Sequence, residues 1–415
     1  MWKAGPWRLV AAVALMALGS GSALVGTAIT RATATPATTP ATIQPDRDVS
    51  WVSAGVTIHG SYRAPAPGAT GAPAALILVG TGNIDRNGNT PLYPGVEFDD
   101  YEFLADLLSA QGIASLRYDK IGTGATGLGP YASDPSALLD KDYDELRVQP
   151  ARDGLKFLAQ QPGVDSNRLI LIGHSEGGGV AAQLATHLGD APPLAGLALV
   201  EPSYGRILSL YALQFGAQMR AAVDGGGMTS GDAATLTSWM QDGIDEIRAG
   251  DPPYPAPGPV PLPGATDFTA DMQSSIALNI YGSDPAQVVL AHGMRSAYGK
   301  SGDAIDPPAL AGQVRIPTLV TCGTKDFNTP CVAGGSPGSG VSALAASFVP
   351  GVAQFVTVPD MVHGFRDVGD DDPTELPDTV NYPFSQVFAT AFSTFVARFV
   401  PAAPIPLVVA PQFTG

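Results

Sequence analysis

Near the middle of the chain, Arg168-Leu-Ile-Leu-Ile runs into Gly173-His174-Ser175-Glu176-Gly177 and then into Gly178-Gly179-Val180-Ala181-Ala182. An apolar strand, a Gly-x-Ser-x-Gly turn and a small-residue helix start make a setting in which a serine hydroxyl can serve as a nucleophile. On so sharp a strand-to-helix turn the serine backbone is strained, and the residues two before and two after must be small to avoid collision. Gly173 and Gly177 meet that requirement. The helix start behind Ser175 favours developing negative charge. Such a serine attacks a carbonyl carbon and forms an acyl-enzyme, given a base to take its proton. A plain Gly-rich turn is the bland alternative, and the strand and helix on either side argue against it.

Two further motifs invite chemistry and fail on context. Gly122-Thr-Gly124-Ala-Thr-Gly127 satisfies the dinucleotide fingerprint and follows a predicted strand, but Leu128-Gly129-Pro130 stops the helix that the fingerprint needs. Asp85-Arg-Asn87-Gly-Asn89 opens like a calcium loop, yet Thr90 stands where glycine is required and no Glu closes the loop. Neither metal nor organic cofactor is expected.

On either side of Ser175, short apolar runs at 74–79, 113–118, 168–172, 194–200, 317–321 and 354–358 read as buried strands. Helical patterns at 97–111, 143–161, 177–188, 341–348 and 386–399 alternate with them. Continuous apolar strands alternating with helices predict an α/β fold whose mostly parallel sheet is covered on both faces. Residues 56–62 are expected as an antiparallel edge strand. From 205 to 312 no strand is evident, and helical patterns at 207–223, 233–249, 267–281 and 286–298 take over, with a Pro-rich loop at 251–264. This is a helical cap inserted between core strands, which divides the core into 51–204 and 313–403. Its apolar faces are expected to pack on one another. Residues 404–415 form a tail.

The chain has 415 residues, 22 Lys+Arg, 38 Asp+Glu and a formal net charge of −16. That sign disfavours nucleic-acid binding and docking on an anionic membrane surface. A small-molecule or acyl-ester substrate is the expected partner. Lys3 and Arg8, the apolar stretch 9–18 and the small residues 19–23 compose a secretory signal peptide within residues 1–34, cleaved after Ala23 or after Ala34. An uncleaved anchor over 9–29 is the alternative, and would be the chain's sole membrane contact. Residues 35–50 read as an Ala/Thr/Pro-rich spacer. The two cysteines, Cys322 and Cys331, stand without a neighbouring His or second Cys pair, so in an oxidising compartment they are expected to form a disulfide.

With these residues in view, the sequence resembles the α/β-hydrolase superfamily over roughly residues 56–400, the insertion apart. It is similar to esterase and dienelactone-hydrolase-like members whose oxyanion strand ends Gly-Ser-Gly, followed by Asp-Arg-Asp-Gly-Asn. Here these are Gly80-Thr81-Gly82 and Asp85-Arg86-Asn87-Gly88-Asn89. Their next strand runs into Arg-Tyr-Asp-Lys-Arg-Gly, matched by Arg117-Tyr118-Asp119-Lys120-Ile121-Gly122. The resemblance implies a triad in the order Ser, acid, His. Of the five histidines, His59 precedes the nucleophile, His174 adjoins it and points elsewhere, His187 lies near the end of the next helix, and His292 falls in the cap. His363, after the last core strand, is the expected general base. Asp326, in Gly323-Thr-Lys-Asp326, is the expected acid, with Glu201 as its rival one strand earlier. The backbone N–H groups of Glu176 and Thr81 are the expected oxyanion donors. These roles describe an exported serine hydrolase of the carboxylesterase type. A peptidase, thioesterase or acyltransferase would use the same triad, and an idle binding protein would keep only the fold. An aminopeptidase would also need an acidic cluster, for which Glu246, Asp267 and Asp271 stand in the insertion.

Overall fold

The computed structural model describes residues 43–250, 266–280, 294–333, 338–371 and 376–401. The expected signal peptide, the Pro-rich loop, His292 and the tail at 404–415 lie outside the described residues.

The chain enters through an antiparallel pair, β1 (Asp46–Ser53) and β2 (Val56–Arg63). Strand and helix then alternate: β3 (Ala72–Leu78), α1 (Asp100–Ser109), β4 (Ala114–Tyr118), α2 (Gln149–Ala159), β5 (Val164–Ser175), α3 (Glu176–Thr186) and β6 (Leu194–Pro202). A π-helical turn, Asp144–Val148, leads into α2. The insertion supplies α4 (Ile207–Asp224), α5 (Ser230–Ala249), α6 (Asp267–Asn279), α7 (Ala297–Asp303) and the short α8 (Pro307–Ala311). The core resumes with β7 (Thr318–Gly323), α9 (Gly340–Ala346), β8 (Ala353–Val358) and α10 (Gln386–Val396). All eight strands form one sheet in the order β1-β2-β4-β3-β5-β6-β7-β8, parallel from β4 onward and antiparallel at β1 and β2. This is an α/β-hydrolase fold.

Side-chain alternation explains why the strands read as unbroken apolar runs: both faces are covered. Leu76, Leu78, Leu169 and Leu171 pack with Leu155 of α2 and Val180 and Leu184 of α3. Ala75, Ile77, Ile170 and Ile172 point the other way, onto Leu104 and Leu108 of α1 and Phe388 and Phe392 of α10.

One edge differs from expectation. Residues 46–50, spacer by composition, pair in β1, so β2 is the second strand and not the edge. Two tertiary contacts account for this. The Asp46 carboxylate accepts from Arg63 Nε (2.7 Å) and Arg117 Nη1 (3.0 Å), both cations being buried in the sheet. Trp51 packs edge-on to Tyr118 and stacks on Phe157, at centroid distances of 5.5 and 5.3 Å. Neither partner is visible in local composition.

The insertion has a core of its own, in which Phe215, Met219, Trp239, Met240, Ile244, Met272 and Ile276 are buried together. Its apolar faces therefore do pack on one another. The final helix expected at 286–298 is partly outside the described residues, and the helix seen there is α7. Asp303, at the end of α7, ties the insertion's two ends together. Its carboxylate accepts from Arg206 Nη2 (2.7 Å), Arg248 Nε (2.9 Å) and Leu208 N–H (2.9 Å). Among the described residues no helix is long and apolar enough to cross a membrane.

Asp303→Ala should therefore loosen the cap before the sheet. The arginines are 40% and 28% exposed, so the loss should fall below the usual cost of breaking a buried ion pair, at about 2 kcal/mol. Hydrogen exchange should quicken across α4 and α5 while β5 keeps its protection. Equal quickening in both would show that Asp303 acts on the whole fold.

Candidate active site

Ser175 is the last residue of β5 and precedes the first turn of α3, with φ 53° and ψ −124°. The surroundings impose that turn. A Cβ on Gly173 would lie 2.3 Å from Gly177 O, and one on Gly177 would lie 2.4 Å from Leu78 O. The elbow is thus pressed against both its own helix and the end of β3. As the first residue of α3, Glu176 has a backbone N–H with no acceptor within the helix. Gly80-Thr81-Gly82 follows β3, and a Cβ on Gly80 would lie 3.0 Å from Ser175 Cβ. The loop after β3 thus passes beside the serine at Gly80.

His363 and Asp326 come together from loops after β8 and β7. His363 Nδ1 donates to Asp326 Oδ2 at 2.9 Å. The Asp326 carboxylate is buried and also accepts from Asn328 N–H (2.8 Å), Thr329 N–H (3.0 Å) and Thr329 Oγ1 (2.6 Å). Burial alone would raise its pKa, but the His363 imidazole and the Thr329 bonds outweigh burial and hold it below the ordinary carboxylate value. Engaging Nδ1 leaves the other ring nitrogen free to take a proton. Cys322 and Cys331 form a disulfide that brackets this acid loop.

His174 is buried and does more than its position beside Ser175 signals. Its Nε2 lies 2.9 Å from the His363 carbonyl, which can only accept, so Nε2 carries the proton. Burial, with the His363 charge in support, pushes its pKa well below the usual imidazole range, so the ring is neutral and Nδ1 is an acceptor. Tyr101 Oη donates to Nδ1 at 2.9 Å and itself accepts from Gly80 N–H at 2.7 Å. One hydrogen-bonded chain therefore joins the loop at Gly80, the elbow and the loop at His363. No periodicity or motif reveals it, since Tyr101 lies on α1, 73 residues from His174.

Glu201, the last residue but one of β6, has φ 46° and is 0% exposed. Burial, then the charges of Asp326 and Asp100, raise its carboxyl well above the ordinary range. It makes no hydrogen bond with His363 among the described residues. Its donor atoms and those of His174 and His363 lie within 4.8 Å of one another, the one described grouping close enough for a metal ion. Both His174 nitrogens are already hydrogen-bonded, which fits a proton-ordered network better than a ligand set.

Glu176 sends its side chain below the elbow. Its carboxylate accepts from Tyr143 Oη (2.9 Å) and from Tyr298 Oη of α7 (3.2 Å), with Arg147 Nε at 3.5 Å. The insertion thereby reaches the residue beside Ser175. Of the remaining histidines, His59 lies in β2 and His187 follows α3. The Gly122–Gly127 loop forms turns rather than a helix start, wrapped around the Asp119 carboxylate, which accepts from the N–H groups of Arg86 (2.7 Å) and Ala125 (2.8 Å). In the calcium-like loop, Asp85 accepts from the N–H groups of Asn87 and Asn89 at 2.8 and 2.9 Å.

No protein-family model matches this chain, and no curated protein does. Similar solved structures include a hypothetical protein from Pseudomonas aeruginosa, at 14% identity and a TM-score of 0.46, covering 86% of this chain and 95% of that one. Ferulic-acid-bound Est1E from Butyrivibrio proteoclasticus is similar at 13% identity and a TM-score of 0.45, covering 85% and 97%. An acetyl xylan esterase from Paenibacillus sp. R4 is similar at 17% identity and a TM-score of 0.41, covering 76% and 78%.

Tyr101→Phe should leave Gly80 N–H and His174 Nδ1 without their shared partner, at a cost of about 1–3 kcal/mol. Denaturant unfolding would measure this, and an unchanged midpoint would mean that the chain is not strained by the loss. Replacing both cysteines by serine should lower turnover while far-UV circular dichroism holds, because the bracketed loop carries Asp326. Unchanged turnover would remove that role from the disulfide.

Proposed function

We propose that this chain is an exported serine hydrolase that cleaves carboxylic esters through an acyl-enzyme. The observation that carries the reading is the His363–Asp326 pair, 2.9 Å apart, whose His363 carbonyl is hydrogen-bonded to His174, the neighbour of a serine held at φ 53° on a strand-to-helix turn. In this reading Ser175 Oγ attacks the ester carbonyl while His363 takes its proton through the ring nitrogen that Asp326 leaves free. The N–H groups of Glu176 and Thr81 receive the oxyanion. Collapse of the tetrahedral intermediate expels the alcohol, protonated by His363. Water, activated by the same imidazole, then releases the acid. Asp326 keeps the imidazole oriented and its charge balanced. Because its pKa is depressed, Asp326 stays ionised until the pH falls below the ordinary carboxylate value of 3.8. Its stabilising contribution is present above that value and is lost only as the pH falls through the lower, folded one.

Two observations bear on substrate and compartment. Glu246, a candidate for holding a peptide's amine, is instead ion-paired with the buried Arg295. That favours an ester over an aminopeptidase substrate. The Cys322–Cys331 disulfide suits an oxidising compartment, in keeping with the signal-like N-terminal sequence.

A fluorophosphonate probe should label Ser175 alone, located by peptide mass spectrometry, and Ser175→Ala should abolish the label. Ser175→Ala and His363→Ala should each lower kcat/KM on p-nitrophenyl esters by about a thousandfold or more. Transfer of the acyl group to an added alcohol in preference to water would instead identify an acyltransferase. A folded protein that takes no label would be an idle binding protein.

A further inference from the structure

One buried cation beside the site has no part in the scheme above. Lys120 follows β4 and is 5% exposed. Its Nζ donates to the carbonyl of Gly80 and, at 3.0 Å, to the carbonyl of Gly82. These two carbonyls flank Thr81. In a planar trans peptide the C=O and the following N–H point in opposite directions. Drawing Gly80 O toward Lys120 therefore turns the Thr81 N–H away from it. The other end of the same segment is held as well, because Gly80 N–H donates to Tyr101 Oη at 2.7 Å. Gly82, at φ 92°, supplies the tight bend that brings both carbonyls to one ammonium group. Gly80 lies against Ser175, and the Thr81 N–H donates to no acceptor among the described residues.

We propose that Lys120 is the positioning residue of the oxyanion loop: its ammonium clamps the Gly80 and Gly82 carbonyls and so aims the Thr81 N–H at the oxyanion. The proposal rests on the reading of Thr81 as an oxyanion donor. A cation on the carbonyl side of an amide also polarises it and strengthens its N–H as a donor. The arrangement keeps the clamp out of the substrate's way, since Lys120 acts from beneath the loop.

The charge on Lys120 is itself conditional. Burial pulls its pKa down to about 7; Arg147, from the π-helical turn, pushes the same way, and Glu176, from α3, opposes both. Above that pH the lysine becomes neutral, and its two bonds lose the charge assistance that makes such bonds roughly twice as strong. The clamp should therefore slacken on the alkaline side.

The test compares the wild type with Lys120→Met, Lys120→Arg and Thr81→Pro, using a p-nitrophenyl ester for turnover and an alkylboronic acid as a tetrahedral-adduct inhibitor. Lys120→Met should lower kcat by about 10- to 100-fold with KM unchanged, and weaken the boronic acid by the same factor. Lys120→Arg, which keeps its charge, should recover part of kcat and lose the alkaline decline that the wild type shows above pH of about 7. Thr81→Pro deletes the N–H itself and should be impaired whatever Lys120 does. An impaired Thr81→Pro beside a fully active Lys120→Met would overturn the clamp and leave the donor. A fully active Thr81→Pro would overturn the donor reading and the clamp with it. Loss of kcat in Lys120→Met without loss of boronate affinity would reduce Lys120 to a structural residue. Should Lys120→Met fail to fold, the wild-type profile decides: a kcat that stays level from pH of about 7 to about 10 overturns the clamp.

Discussion

The site is organised around a backbone constraint, the left-handed turn at Ser175. It can exist only because Gly173 and Gly177 have no side chains to collide with the helix and with the end of β3. Close approach at Gly177 brings β3's end to the elbow, and the loop after β3 is consequently in reach of the serine. Strain of this kind costs on the order of 1–3 kcal/mol and persists only where surrounding structure enforces it. Here the enforcement comes from two packed faces of the sheet, from α3, and from hydrogen bonds that radiate from His174. Glu201 and Phe365 share the positive φ, so the strain is concentrated where β5, β6 and β8 deliver their residues.

From that turn, two polar systems diverge. One is neutral: Gly80 N–H, Tyr101, His174 and the His363 carbonyl form a chain in which each proton has one donor and one acceptor. It holds three loops in register without placing a charge next to the imidazole of His363. The other is charged and lies below the elbow, where Arg147, Glu176 and Lys120 interact within the protein interior. Buried charges of mixed sign are costly unless they are paired and hydrogen-bonded. Tyr143 and Tyr298 help meet that requirement, and Tyr298 belongs to the insertion. The cap is therefore coupled to the residue after Ser175 by polar contacts, in addition to the Asp303 contacts that join its own ends.

Much of the architecture was legible in the chain because its physical signals are local. Buried strands appear as short apolar runs, α3 as a small-residue start after an elbow, and the insertion as a stretch where period-2 and continuous apolar patterns vanish. β1 was not legible: its Asp46, Arg47 and Asp48 resemble spacer until Asp46 meets Arg63 and Arg117 from other strands. The helix expected at 286–298 falls for the most part on residues outside the described ones, and the described helix nearest it, α7, begins at Ala297. In the site, Ser175 was legible from its motif, and His363 and Asp326 from chain order together with family resemblance. Tyr101, Lys120 and the second role of His174 had no signal of their own, because their partners lie tens of residues away.

The elements, the covered parallel sheet, the elbow with its two glycines and the order of the chemically capable residues were thus readable along the chain. These follow from side-chain size, polarity and spacing along one stretch of chain. Tertiary contacts alone set which carboxyl faces His363, that the Glu201 carboxyl is shifted up and the Asp326 carboxyl down, and that a lysine stands behind the loop at Thr81. Those outcomes turn on burial and on distances between strands that are remote in sequence. Desolvation and charge pairing act through space, and they take their values only once the sheet has closed around them.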